Sequence, residues 1–156
     1  MPMNTTVQHT AAGLRAWAKG IYPLEAGVEL LIRTSGGRFA SSALPWIRAG
    51  EDPGWWWVDV DQFTEDALAA YSGGETRVLR IAAALLGGRP VNLYQDIPGQ
   101  DRDHVQLVLA AIAHASGSHE HSGRLGPDPG GRYRASDGTR LSFRRLGSLY
   151  PWPEPG

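Results

Sequence analysis

Apolar residues recur at helical spacing from the first turns of the chain. Val7, Ala11, Leu14, Ala18 and Ile21 fall on one face, Trp17 widens the stripe, and Asn4, Thr5 and Thr6 stand before it as capping candidates. This predicts an amphipathic helix from about Thr6 to Lys19, closed by Gly20. Pro23 suits the first turn of a second helix, where its missing N–H costs no hydrogen bond. Leu24, Val28, Leu31 and Ile32 line that helix, and Ser35-Gly36-Gly37 ends it. A single helix kinked at Pro23 is the alternative.

Residues 35–54 read as an irregular loop anchored by Leu44, Trp46 and Ile47. The aromatic and β-branched run 55–60 predicts a short strand. Asp59 or Asp61 then caps a helix with Val60, Phe63, Ala67, Ala70 and Tyr71 on one face, stopped by Ser72-Gly73-Gly74. Two segments carry start signal, period and glycine stop together. One opens at Glu75, runs through Val78, Ile81, Ala82, Leu85 and Leu86, and ends at Gly87-Gly88. The other is capped by Asp101 or Asp103, runs through Val105, Val108, Leu109 and Ile112, and closes at Gly117. Val91-Asn92-Leu93 between them suits a very short strand.

Beyond Gly117 apolar residues thin out and Gly and Pro become frequent. Arg132 to Phe143, with Ser136-Asp137-Gly138 at the turn, reads as a β-hairpin, and Tyr150 to Pro155 as an extended proline-rich tail. The fold class is therefore mainly α: about five helices in a compact bundle, a short strand near 55–60 and a C-terminal β-hairpin near 132–143. The organisation is a helical body over 1–121 and a Gly/Pro-rich segment over 122–156. Two strands alone are marginal in water, so the hairpin must dock on the body or on a partner. The stripes of the two clearest helices are expected to pack on each other. Leu109→Ala or Ile81→Ala then costs roughly 2 to 5 kcal/mol, and Arg80, on the opposite face, tolerates change.

Composition places the 156 residues in the globular range, with 42% hydrophobic and 20% charged residues. No apolar run approaches membrane-spanning length and no leader pattern opens the chain, so a cytoplasmic protein without membrane association is expected. The absence of Cys excludes disulfides and thiolate chemistry. Net charge is −1, unevenly spread: residues 1–121 hold nine basic and thirteen acidic side chains, residues 122–156 six Arg and three acids.

Ile21-Tyr22-Pro23-Leu24-Glu25-Ala26 running into Val28-Glu29-Leu30-Leu31-Ile32, Glu75 with Val78-Leu79-Arg80, and Val91 and Asp101 leading to His114-Ala115-Ser116-Gly117 resemble a group of uncharacterised actinobacterial proteins. The resemblance covers roughly residues 10–117. It implies a bacterial origin and a helical fold, and it brings no activity with it.

Chemistry is sparse. There is no phosphate loop, dinucleotide fingerprint or His-Glu-x-x-His, and Ser35, Ser41 and Ser72 lack a nucleophile's strand-to-helix setting. His114, His119 and His121, with Glu120 beside them, have ligand-like spacing, and zinc is the cofactor such a set takes. Glu25 and Glu29 share a helical face, Arg33 is positioned to pair with Glu29, and Asp96, Asp101 and Asp103 read as turn and cap residues. The triple Trp55-Trp56-Trp57 suits packing or a stacking platform.

Three functions follow from these signals. The leading expectation is a non-catalytic helical protein-binding or adaptor module, docking a protein partner or a second copy through Tyr133, Phe143, Tyr150 and Trp152. The alternative is a winged-helix-like DNA-binding protein, since helix, short strand, helix and hairpin follow in winged-helix order. Arg132, Arg134, Arg140, Arg144 and Arg145 would then touch nucleic acid. A metal-dependent enzyme built on the His cluster is the third.

Overall fold

A computed structural model describes residues 5–155. The capping candidate Asn4 lies outside them. About half the chain is helical, with two small antiparallel sheets. Helix α1, Thr5–Ala18, and α2, Tyr22–Arg33, are separate helices: Gly20 turns the chain with φ 93° and Pro23 occupies the first turn of α2. A 3-10 segment, Thr34–Ala40, follows and is broken by left-handed Ser35, Gly36 and Gly37.

The loop expected over 35–54 contains a strand, β1, Ile47–Ala49. It pairs antiparallel with β2, Trp56–Val58, placing Ile47 opposite Val58. The helix expected from Val60 to Tyr71 is instead a 3-10 turn, Val60–Gln62, and a single helical turn, α3, Glu65–Leu68, which Thr64 caps. Phe63 breaks the helical path between them and stacks on Trp46 with ring centroids 4.7 Å apart. Helix α4, Gly73–Gly87, starts from a capping box. Ser72 accepts from the Glu75 N–H and Glu75 reaches back to the Ser72 N–H, so Ser72 opens this helix rather than closing the one before it.

No strand forms at Val91. Asn92 caps another single turn, α5, Leu93–Asp96. Asp101 caps α6, Arg102–Ala115, and left-handed Gly117 leads into α7, Ser118–His121. The C-terminal sheet has three strands rather than two: β3, Gly123–Pro127; β4, Tyr133–Arg134; and β5, Arg140–Arg145, in the order β3-β5-β4. No helix among the described residues is long and apolar enough to cross a membrane.

The core centres on α2, on which both α4 and α6 pack. Ala26, Val28, Leu30 and Leu31 are fully buried. At Gly27 a Cβ would stand 2.5 Å from Leu86 Cγ, so the α2–α4 crossing needs a residue without one. This arrangement corrects two expectations. α4 and α6 touch each other less than each touches α2, and Val78, Leu79, Ile81 and Val108 share one core with α2 rather than forming a separate two-helix seam. Leu109 and Ile112 are outside the core, 43% and 52% exposed, while α6 buries Leu107, Val108, Ala110, Ala111 and Ala113. A face lined by alanines lets α6 approach α2 closely, and it is rotated from the face its largest side chains mark.

Arg80 is not a free surface residue either. It binds the buried Asp96 at 3.2 Å and Glu65 at 2.8 Å. Removing it leaves a buried carboxylate without its cation, which is destabilising rather than neutral.

Candidate functional site

Two regions carry the chemistry. The first is a polar cluster where α2, the end of α6 and α7 meet. Gly117 makes it: its φ of 78° reverses the chain after α6, and a Cβ there would sit 3.0 Å from the Tyr22 ring. The reversal lays His119 on His114, rings parallel within 9° and centroids 3.9 Å apart. His114 Nε2 lies 2.9 Å from Glu25 Oε1, and the other Glu25 oxygen accepts the Gly20 N–H at 3.0 Å. Glu25, His114 and His119 each offer a ligand atom, all within 4.8 Å of one another.

The Trp152 indole N–H donates to His114 Nδ1 at 3.4 Å. Indole is a donor only, so this contact assigns the ring proton of His114 to Nε2, where Glu25 accepts it. Trp152 also lies 5.0 Å under the Arg33 guanidinium, and Arg33 donates to the Pro153 carbonyl at 3.2 Å. The tail is thereby fastened to the body.

Burial pushes the Glu25 carboxyl up, but hydrogen bonds from His114 and the Gly20 N–H hold it net below the usual carboxylate range. His119 is held below the usual imidazole range by burial first and by the neighbouring His114 second. His121 does not join the three. Its Nε2 lies 2.9 Å from the Tyr22 hydroxyl, which donates to Glu120 at 2.5 Å. That bond lowers Glu120 and raises Tyr22. The expected trio His114, His119 and His121 is therefore corrected: Glu25, 89 residues before His114, takes the place of His121. His104 stands apart, under Gly74.

Beside the cluster, Glu29 forms the pair with Arg33 that its spacing implies, at 2.7 Å, and a second with Arg15 at 2.6 Å. Burial raises Glu29, but the two guanidinium bonds outweigh it and bring the carboxyl below its ordinary value. A lowered native pKa means the stabilisation is complete above the unfolded value and is lost as pH falls through the native one. In urea titrations, Glu29→Gln is expected to be less stable than the parent at pH 7, with the gap closing as pH drops below the ordinary glutamate value of about 4.3. A gap independent of pH would refute this.

The second region is the C-terminal sheet. Register puts Leu125 opposite Phe143, and Tyr133 and Pro127 opposite Leu141, so one face is apolar. Leu125, Tyr133 and Phe143 are 49%, 53% and 59% exposed there. The other face pairs Arg124 with Arg144 and Arg134 with Arg140. Among the described residues none of these four arginines, nor Arg132 or Arg145, has an ion-pair partner within 4.0 Å. Asp128 is lowered by the Gly130 N–H, the Ser142 hydroxyl and, more weakly, the charge of Arg144.

The aromatic residues grouped by sequence are thus divided. Tyr133 and Phe143 share the sheet face, Tyr150 lines a cleft together with Leu109 and Val105 of α6, and Trp152 packs on His114 and Arg33. Arg124 was absent from the expected basic set because β3 carries no strand signal of its own. Its alternation is hidden by Gly123, Gly126 and Pro127, and only pairing with β5 orders it. Comparison with family models, with curated proteins and with solved structures finds no match.

Proposed function

We propose that this chain is a non-catalytic binding module that docks a protein partner on the apolar face of its C-terminal sheet. The observation that carries the reading is the exposed group Leu125, Phe143 and Tyr133 on one sheet face, with Leu125 paired to Phe143 and Tyr133 to Leu141, uncovered by the helical body. Exposed aromatic groups held on a rigid sheet are the anchors from which interface energy is drawn. The partner is acidic at its rim, because Arg145, two residues beyond Phe143 and so on the same face, has no ion-pair partner within 4.0 Å among the described residues. Two copies packed through the same face would bring the Arg145 charge of each into one interface, which like-charge repulsion opposes.

The opposite face favours a second reading. Like charges directly opposed in a sheet repel, and two such pairs of arginines would be relieved by a polyanion such as duplex nucleic acid. A winged-helix mode is not the form this reading takes, since the outer face of α6 presents Leu109 and Ile112 rather than basic groups.

One set of titrations separates the readings. A labelled peptide of alternating Glu and Leu and a labelled DNA duplex are each titrated into the chain, into Leu125→Ser/Phe143→Ser and into Arg124→Ser/Arg144→Ser. The proposal expects peptide binding that the apolar-face variant loses. Duplex binding, steeply weakened by salt and lost in the arginine variant while the peptide fails, would replace it with the nucleic-acid reading. Sedimentation showing dimers that dissociate in the apolar-face variant would overturn the acidic partner in favour of a second copy.

A further inference from the structure

We propose that Glu25, His114 and His119 form a binding site for one divalent transition-metal ion of the zinc class, loaded at the expense of the Trp152 contact. The proposal is independent of the docking face.

Two imidazoles and one carboxylate are a donor set that zinc accepts, and three protein ligands leave a fourth position for water. The spacing suits it. Tetrahedral ligands at about 2.0 to 2.1 Å from zinc stand about 3.3 Å from each other. Glu25 Oε1 and His114 Nε2 are already 2.9 Å apart, and the His119 donor lies within 4.8 Å of both. Glu25 is aimed by the Gly20 N–H, and a cleft of about 240 Å³ lined by Arg15, Ala18, Glu25, Val28, Glu29 and His114 gives access.

Two movements accompany loading. Imidazole lone pairs lie in the ring plane, so parallel rings 3.9 Å apart do not aim at one point, and one ring must turn. His119 is the ring with freedom to do so, because its Nδ1 is buried without a hydrogen-bond partner. At His114 the metal replaces the proton on Nε2. The neutral ring then carries its proton on Nδ1, directly against the Trp152 N–H. Two donors face each other, and the indole leaves. Metal binding and tail docking are thus opposed through the two nitrogens of one imidazole.

The test is calorimetric titration of zinc chloride into the full chain after chelator treatment, with tryptophan fluorescence recorded in parallel. One equivalent is expected to bind, with a change in emission that Trp152→Phe abolishes and tighter binding in that variant, since no indole opposes the ion. His119→Ala and Glu25→Gln are expected to lose at least about 10-fold in affinity, the lower bound that even loss of an outer partner sets. His9→Ala, at an exposed position of α1 outside the cluster, is expected to bind as the parent does. Circular dichroism of each variant checks the fold, and the isosteric Glu25→Gln carries the conclusion if His119→Ala is disturbed. Absence of saturable one-to-one binding, or binding that neither ligand variant weakens, would overturn the site. Binding with unaltered emission and equal affinity in Trp152→Phe would overturn the coupling to the tail.

Discussion

Replacing Trp46 by alanine is expected to lower the stability of the chain by about 3 to 5 kcal/mol, as loss of a buried aromatic does where the site cannot collapse. Trp46 is completely buried, its ring stacks on Phe63, and its indole N–H donates to the Phe39 carbonyl at 2.9 Å. Alanine removes the packing and the donor together. The Phe39 carbonyl, buried with its residue, is then left without that bond. Trp46→Phe keeps most of the volume and loses the hydrogen bond, so it is expected to fall between the two. Urea unfolding monitored by circular dichroism gives the three values. An alanine variant within about 1 kcal/mol of the parent would mean that the stack of Trp46 on Phe63 is not core.

The second large effect is a contrast between two leucines. Leu31→Ala is expected to cost about 2 to 5 kcal/mol, whereas Leu109→Ala is expected to stay within about 0.5 to 1 kcal/mol. Leu31 sits at 1% exposure on α2, and Leu109 faces outward beside Tyr150. The measurement separates an α2-centred core from direct packing of α4 on α6, since the latter demands a cost of about 2 to 5 kcal/mol at Leu109 as well. Equal losses at both positions would refute the rotation of α6 described above.

How far the fold could be read in advance depended on whether each signal was local. The long helices were legible because their caps and stops are short-range devices: Pro23 in the opening turn of α2, Gly88 in left-handed geometry after α4, Asp101 accepting the His104 N–H. The segment 60–71 was not, because its apolar spacing suits a helix while Phe63 leaves the helical path to stack on Trp46, a contact made across the fold. Strand β3 was illegible for the same reason. Nothing in Gly123-Arg124-Leu125-Gly126-Pro127 favours extended backbone until β5 offers its hydrogen bonds.

The candidate sites divide the same way. His114 and His119 were recognisable from their spacing, and Gly117 marked the turn that brings them together. Glu25 was noted only as a carboxylate sharing a face with Glu29, and nothing in its neighbourhood points to an imidazole 89 positions later. The arginines were countable as a basic segment. Their separation from the apolar row onto an opposite face required a register, and register is a property of a strand pair.

The sequence by itself determined the helical class, the ends of its long helices, the turn at Gly117 and the charge asymmetry of the C-terminal segment, because caps, glycine stops and charge act over a few residues. Tertiary structure alone decided which face of α6 is buried, which carboxylate joins the two histidines, that Arg80 holds a buried Asp96, and that the sheet has an apolar and a basic face. Each of these depends on which elements come together. That choice is made by close packing of whole surfaces, where a row of alanines against α2 outweighs the larger but outward-facing Leu109 and Ile112.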